Sequence, residues 1–264
     1  MSHVEVLSAA GLIRTSRRRG FCPACRLFQS GDTPKEIAAP GLLALASLVV
    51  AAVAWAVAIG QSTAMDDMAV GLGSIGAFVA AWALMSVAMM LPTATPLVFE
   101  FARNAEGRRG WVTATALLAL TYVGLWLAFG VAAYALYNAV GMPWPKQRLV
   151  GGAALVLAGL YALTPLKRAN EAFCRELCAL HGPLPFSLVR SAVLAGVRYG
   201  LSCLGCSAAL MLAIVLIGMN DLVWMLAVTA LIVAYKLAPA PTPRTTLALS
   251  ALVVALGALY AFSV

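Results

Sequence analysis

Long apolar runs alternate with short polar segments along most of the chain. Seven runs approach the length of about 20 residues that crosses a bilayer as a helix. They cover residues 41–59, 75–91, 111–140, 149–163, 192–219, 222–237 and 247–262. Prolines after residues 91 and 163 are predicted to end the second and fourth runs. The pattern predicts an all-α, polytopic integral membrane protein with about seven transmembrane helices.

The polar segments define the predicted domain organisation. Residues 1–40 form a hydrophilic basic arm, and residues 41–264 are predicted to form a single transmembrane helical domain. Residues 99–110 are polar and are expected at the membrane interface. Residues 169–190 are predicted to be the largest internal loop. No polar segment is long enough to fold as a separate soluble lobe.

Composition and charge support this class and orient the chain. Hydrophobic residues make up 62% of the sequence and charged residues only 11%, against about 25% charged in soluble proteins. All but three of the 18 lysines and arginines lie on the side of the N-terminus, so the positive-inside rule predicts N-in, C-out. The exceptions are Lys146 and Arg148 outside and Arg198 near the inner end of the fifth span. The net charge of +8 is therefore explained by basic residues on the predicted cytoplasmic side, and no nucleic-acid partner is expected.

Two cysteines lie in the middle of the fifth apolar run. Cys203 and Cys206 are three residues apart in the segment RYGLSCLGCSAALM, so one helical turn brings both thiols to nearly the same side. A rise of about 1.5 Å per residue places them about 7 and 12 Å deeper than Arg198, in the inner half of the membrane. Buried thiols beside glycine and serine form either a soft-metal site or a tight helix-packing seam.

A metal site here needs ligands from a second helix. Met85 and Met89 share one face of the second span at i, i+4 and at a matching depth. Met211 is rotated away from Cys206 on the same helix and is predicted as an exit ligand. Thiols and thioethers together favour Cu(I). Three interpretations stay open: a Cu(I) site, sulfur side chains that only fill apolar space, and thiol redox chemistry.

Four further cysteines are predicted on the cytoplasmic side. Cys22 and Cys25 form a CxxC motif in the basic arm, and Cys174 and Cys178 lie in the predicted loop. Together they are secondary candidates for a four-thiolate zinc site or a docking relay for Cu(I). The chain has only 2 histidines, which disfavours haem, di-iron and histidine-rich zinc sites.

The predicted spans contain no carboxylate, although proton-coupled transporters usually carry one inside the membrane. This argues against a standard secondary transporter. Nucleotide-binding loops, nucleophile elbows and paired-carboxylate motifs are also missing from the sequence. We expect the protein not to be an enzyme.

Four segments resemble a bacterial family of predicted metal-binding integral membrane proteins of unknown function, sometimes labelled copper chaperones. The segments are WALMSVAMMLP at 82–92, LTPLK at 163–167, GLSCLGCSAALM at 200–211, and GMN followed by WM at 218–225. The family tends to carry histidine and cysteine where this chain has Ser202 and Ser207. It often has a glutamate at Tyr235 and a cysteine near Asn170.

The resemblance implies a multi-pass protein of the bacterial inner membrane that binds, delivers or transports a soft metal, most readily Cu(I). Cys203, Cys206, Met85, Met89 and Met211 are the predicted ligands. Its expected partners are the lipid bilayer and either a metal chaperone or a membrane complex. One alternative is an accessory membrane subunit in which the Cys/Gly/Ser segment only packs helices together. The other is a membrane thiol-redox protein.

Overall fold

The computed structural model of the protein describes residues 34–62, 74–142, 146–178, 187–217, 222–237 and 242–262. Eight α-helices and no β-strand occur within these ranges. The helices are α1 Pro34–Ser62, α2 Ile75–Ala105, α3 Trp111–Ala139, α4 Gln147–Tyr161, α5 Pro165–Cys178, α6 Leu188–Ile217, α7 Leu222–Leu237 and α8 Pro243–Phe262.

The helices account for each predicted apolar run, with some changes of boundary. Helix α7 matches its predicted run, and α3 ends one residue early. Helix α1 begins at Pro34, inside the predicted arm of residues 1–40. Five of the described helices, namely α1, α2, α3, α6 and α8, are long and apolar enough to cross a membrane. Helices α4 and α5 would add a sixth crossing if this pair, bent by 70°, forms one broken span.

The prediction that the second span ends at Leu91 is wrong, because α2 continues through Pro92 and Pro96 to Ala105. Pro92 has no N–H and so leaves the carbonyl of Ala88 without its helical donor. The indole of Trp55 on α1 donates to that carbonyl at 3.0 Å. A neighbouring helix thus supplies the hydrogen bond that proline removes, and the helix need not break.

The prediction of a loop over residues 169–190 is also wrong in its first half, where α5 extends to Cys178. Pro165 starts this helix, a position where the missing N–H costs nothing. Residues Lys167, Glu171, Cys174 and Leu177 recur at helical spacing, and all are buried. The loop prediction rested on polarity, but the polar residues follow the period of an amphipathic helix.

Helix α6 is the centre of the bundle and packs against α3, α4, α5 and α7. In its most apolar window 61% of residues are buried, against 11% for α1. Helix α2 packs against α1 and α3, and the indole of Trp82 lies directly over Gly130 of α3. The Trp82 indole donates to the carbonyl of Trp126 at 2.7 Å. Helices α2, α3 and α6 therefore enclose the core, and α1 and α8 lie at its edge.

Helices α4 and α8 approach each other through glycines. A Cβ added at Gly152 would lie 2.6 Å from the Gly257 carbonyl oxygen, and one at Gly159 would lie 2.7 Å from Val254. Small residues allow such close backbone contact, which is a common way for helices to associate in apolar surroundings.

Replacing Trp55 by phenylalanine keeps the ring but removes the donor to the Ala88 carbonyl. An unpaired buried carbonyl costs about 1–3 kcal/mol, so we expect thermal unfolding in detergent at a lower temperature. Trp111→Phe is the control, because the Trp111 indole N–H has no hydrogen-bond partner among the described residues. Equal melting temperatures for the two variants would contradict this account of α2.

The α4–α8 contact is tested by Gly152→Ala. The added methyl group would clash with backbone atoms of α8, and we expect a loss of about 1–3 kcal/mol in the free energy of unfolding. The matched control is Gly124→Ala in α3, where nothing lies within 4 Å of the added Cβ. That substitution should be neutral or stabilise the helix by up to about 1 kcal/mol. A Gly152→Ala protein as stable as the control would rule out the tight contact.

Candidate metal centre

Cys203 and Cys206 follow a closely packed part of α6. A Cβ added at Gly196 would lie 2.8 Å from the Leu118 carbonyl oxygen of α3, and one at Gly200 would lie 2.6 Å from Leu125. These glycines bring α6 against α3 one to two turns before Cys203. Close helix packing is therefore present here, and it sets the position of both thiols.

The Cys203 thiol is fully buried and contacts a tyrosine hydroxyl from α3. Its sulfur lies 3.1 Å from the Tyr122 hydroxyl, which in turn donates to the Met90 carbonyl of α2 at 3.3 Å. A hydroxyl has one proton, so when that proton goes to Met90 the thiol is the donor in the contact with Tyr122. Tyr122 thus links Cys203 to the helix that carries the methionines.

The Cys206 thiol is 5% exposed and turns back toward its own helix. It donates to the Cys203 carbonyl at 3.3 Å and lies 3.4 Å from the Ser207 hydroxyl. Cys203 and Cys206 are thiols and do not form a disulfide. Ser202 and Ser207 are both buried beside them.

The predicted methionine ligands lie in the same buried cluster as the thiols. Met85 is 2% exposed, and Met89 and Met211 are fully buried. The register of α2 against α6 is set by Tyr199, whose hydroxyl donates to the Thr93 carbonyl at 2.6 Å. One continuous core therefore contains all five predicted ligands, Cys203, Cys206, Met85, Met89 and Met211. Coordination of a metal by these side chains stays a prediction.

The secondary cysteine candidates are only partly placed. Cys174 is buried on α5 and belongs to the same cluster as Cys203. Cys178 ends α5, and Cys22 and Cys25 lie outside the described residues. Within the described ranges, no three His, Cys, Asp or Glu side chains are grouped so that they could hold a metal. A metal centre with three or more protein ligands in this part of the chain would need the methionine thioethers as well.

Helix α4 ends beside the thiol pair. Its first turn contacts the end of α6, where a Cβ on Gly151 would lie 3.0 Å from Ile217. Its last residue, Tyr161, donates its hydroxyl to the Gly205 carbonyl at 2.5 Å. Gly205 lies between Cys203 and Cys206. The break between α4 and α5 is therefore about halfway along α6 and next to the candidate site.

The residues that sequence reasoning missed are polar and buried or partly buried. Lys167 and Glu171 form an ion pair on the buried face of α5, and Glu100 pairs with Arg103 near the end of α2. The 3.6-residue period of residues 165–178 was the signal that could have located the first pair. The Ser86 hydroxyl, next to Met85, is also buried and has no hydrogen-bond partner among the described residues.

The sequence model of one protein family, described as PpoB2: Copper chaperone, matches residues 79–260. The match covers more than half of the chain and all five predicted ligands. This chain belongs to the PpoB2 copper chaperone family. The resemblance drawn from the four sequence segments is thereby confirmed. Comparison with curated proteins and with solved structures finds no match.

The contact between Cys203 and Tyr122 can be tested by infrared spectroscopy in this member of the PpoB2 family. A hydrogen-bonded S–H group absorbs at lower frequency than one without a partner, so Tyr122→Phe should move one S–H band to higher frequency. The Cys203→Ser variant assigns that band by removing it. A spectrum unchanged by Tyr122→Phe would show that the thiol does not donate to this hydroxyl.

Proposed function

We propose that this protein is a membrane-embedded carrier that receives Cu(I), holds it on Cys203 and Cys206, and passes it to a partner. The observation that carries the proposal is the burial of both thiols in one core with Met85 and Met89. Thiolates and thioethers are soft ligands, which Cu(I) prefers over harder oxygen donors. The membership of a family described as copper chaperones supports the same metal.

The proposed setting is the bacterial inner membrane, crossed seven times. The seven proposed crossings are the five long apolar helices, the broken α4–α5 pair and the short apolar α7. The distribution of basic residues orients them with the N-terminus in the cytoplasm. In this topology α5 extends from the thiol pair toward the cytoplasm, so a soluble metal chaperone is the natural donor or acceptor on that side. A binding and delivery role needs no enzymatic step.

Methionine from α2 is proposed to complete the site because α6 alone supplies only two thiols. Met89 and Met90 are adjacent and both fully buried. Their side chains point in different directions from a helix, about 100° apart. They therefore offer a matched pair in which one substitution removes a proposed ligand and the other removes only a buried thioether.

Copper binding by the purified protein tests the proposal. The detergent-solubilised chain is loaded with Cu(I) under reductant, and bound copper is measured by elemental analysis. We expect the Cys203→Ser/Cys206→Ser double variant to lose the bound metal, because serine hydroxyls are poor ligands for a soft ion. Undiminished stoichiometry in a folded double variant would overturn the assignment.

Competition with a Cu(I) chelator then tests the contribution of α2. Met89→Leu should bind Cu(I) at least about tenfold more weakly, since even partners outside the ligand shell contribute that much. Met90→Leu changes the side-chain volume as little as Met89→Leu does. This variant should bind Cu(I) with the affinity of the unmodified protein. Equal affinities for the two variants would remove Met89 from the ligand set.

An accessory role based on packing is the second candidate, favoured by the close contacts at Gly196 and Gly200. Under that role the two serine substitutions leave both fold and function intact, and Cu(I) stoichiometry is not tied to the thiols. Elemental analysis of the double variant therefore separates the two functions.

A further inference from the structure

Two buried hydrogen-bond donors on neighbouring helices have no partner among the described residues. They are the Ser86 hydroxyl of α2 and the Trp126 indole N–H of α3. Ser86 is 1% exposed and Trp126 is fully buried. A third such group, the Ser191 hydroxyl, lies in the first turn of α6. Buried polar groups in proteins find their partners in other protein groups or in ordered water, so the first two groups call for an explanation.

The register of α2 against α3 places Ser86 opposite Trp126. Three contacts between the two antiparallel helices follow one another along the same faces, and they are Phe78 with Tyr134, Trp82 with Gly130, and Met90 with Tyr122. Each advance of four residues on α2 matches a retreat of four on α3. One step, between the second and third contacts, belongs to Ser86 on α2 and Trp126 on α3.

The Ser86 hydroxyl is not engaged by its own helix. Hydroxyls inside a helix can donate to the carbonyl four residues earlier, and Thr115, Thr121 and Thr229 all do so at 2.6 to 2.9 Å. Ser86 makes no such bond. The Trp126 nitrogen is a donor only and lies on a rigid ring, so it has no similar alternative. Both groups therefore point to a partner within the contact between α2 and α3.

The packing at this step limits the size of that partner. Serine is the smallest of the four side chains that α2 directs to the contact, so a small molecule fits here more easily than at the other steps. The preceding step is closed, because a Cβ added at Gly130 would lie 2.3 Å from the Trp82 indole. The partner is therefore a single small molecule rather than an extended ligand.

A water molecule matches the two donors better than an anion does. Its oxygen accepts from the indole N–H and from the serine hydroxyl, and its own hydrogens can go to main-chain carbonyls, which have two lone pairs each. Buried waters make about three hydrogen bonds of this kind. A halide ion would also accept both bonds, but an uncompensated charge in an apolar core is costly. Lys167, a buried cation on α5, is already paired with Glu171.

We propose that one ordered water molecule binds between Ser86 and Trp126 and bridges α2 to α3. The bridge supplies the contact at the step where no direct hydrogen bond joins the two side chains. It lies within about one helical turn of Met85 and Met89 on α2 and of Tyr122 on α3. The sulfur-rich core thus contains a bound polar molecule, whether or not the protein carries copper.

Nuclear magnetic resonance of the full chain in detergent tests this site. The 6 tryptophans are labelled with ¹⁵N at the indole, and Trp126→Phe identifies the Trp126 signal by removing it. An indole proton that donates to a bound water gives a nuclear Overhauser cross-peak at the water frequency. We expect this cross-peak at the Trp126 indole proton, and its absence would overturn the proposal.

Trp82 is the matched control in the same spectrum. Its side chain is also buried between α2 and α3, but its indole N–H donates to the Trp126 carbonyl at 2.7 Å. The Trp82 proton, identified through Trp82→Phe, should therefore give no cross-peak with water. Equal cross-peaks at the two indoles would show that water enters the whole helix contact, which contradicts a specific site.

Ser86→Val removes the hydroxyl and fills the step with methyl groups. We expect the water cross-peak to disappear and the Trp126 indole proton to move upfield, because a hydrogen bond shifts such protons downfield. Thr115→Val is the control, since it removes a buried hydroxyl of α3 that donates to the Trp111 carbonyl. It should change neither signal. An undiminished cross-peak in a folded Ser86→Val protein would remove Ser86 from the site and overturn the proposal.

Two further measurements keep the test decisive if valine does not fit. Ser86→Ala removes one of the two donors and should weaken the water cross-peak, so an unchanged cross-peak would count against the bridge. Replacing chloride by gluconate in the buffer should leave the Trp126 signal in place. A shift of that signal with chloride would identify a bound halide and overturn the assignment of water. No measurement uses Cu(I), so each result is independent of the proposed function.

Discussion

Three neighbouring helices donate hydrogen bonds to the main-chain carbonyls of one stretch of α2. Trp55 of α1 reaches Ala88, Tyr122 of α3 reaches Met90, and Tyr199 of α6 reaches Thr93. Backbone groups in apolar surroundings must find partners inside the protein, and Pro92 leaves the Ala88 carbonyl without its helical donor. These three hydrogen bonds connect α1, α3 and α6 to the same stretch of α2.

The positions of the helices along the chain were predictable from the sequence where hydropathy alone determines them. Long apolar runs form helices because burying or immersing them in lipid is favourable whatever their neighbours do, and α3 and α7 match to within a residue. Two boundaries were not predictable in this way. The continuation of α2 depends on an indole from another helix, and the helicity of α5 depends on a buried polar face, so local composition gave the wrong ending in both cases.

The candidate site was predictable in its chemistry and only partly in its surroundings. Spacing placed Cys203 with Cys206 and Met85 with Met89, and the core contains all four. Neither the Tyr122 hydroxyl nor the Lys167–Glu171 pair could be assigned to the site, because both arrive from segments distant in sequence. The apolar runs predicted as spans contain no carboxylate, but that observation does not extend to the segments between them. Glu171 is buried on α5, in a segment whose polarity predicts a loop.

The ending of α4 beside Gly205 has a mechanical consequence for the bundle. Helices α1, α3 and α6 are joined to α2 by hydrogen bonds to its carbonyls, and separating them from α2 would break these bonds. Helix α5 follows α4 through only three residues, 162–164, and packs against α6. The core is thus bordered on one side by helices that main-chain hydrogen bonds hold together, and on the other side by α5. Helix α5, about 21 Å long for its 14 residues, is the part of this border that the hydrogen bonds to α2 do not fix.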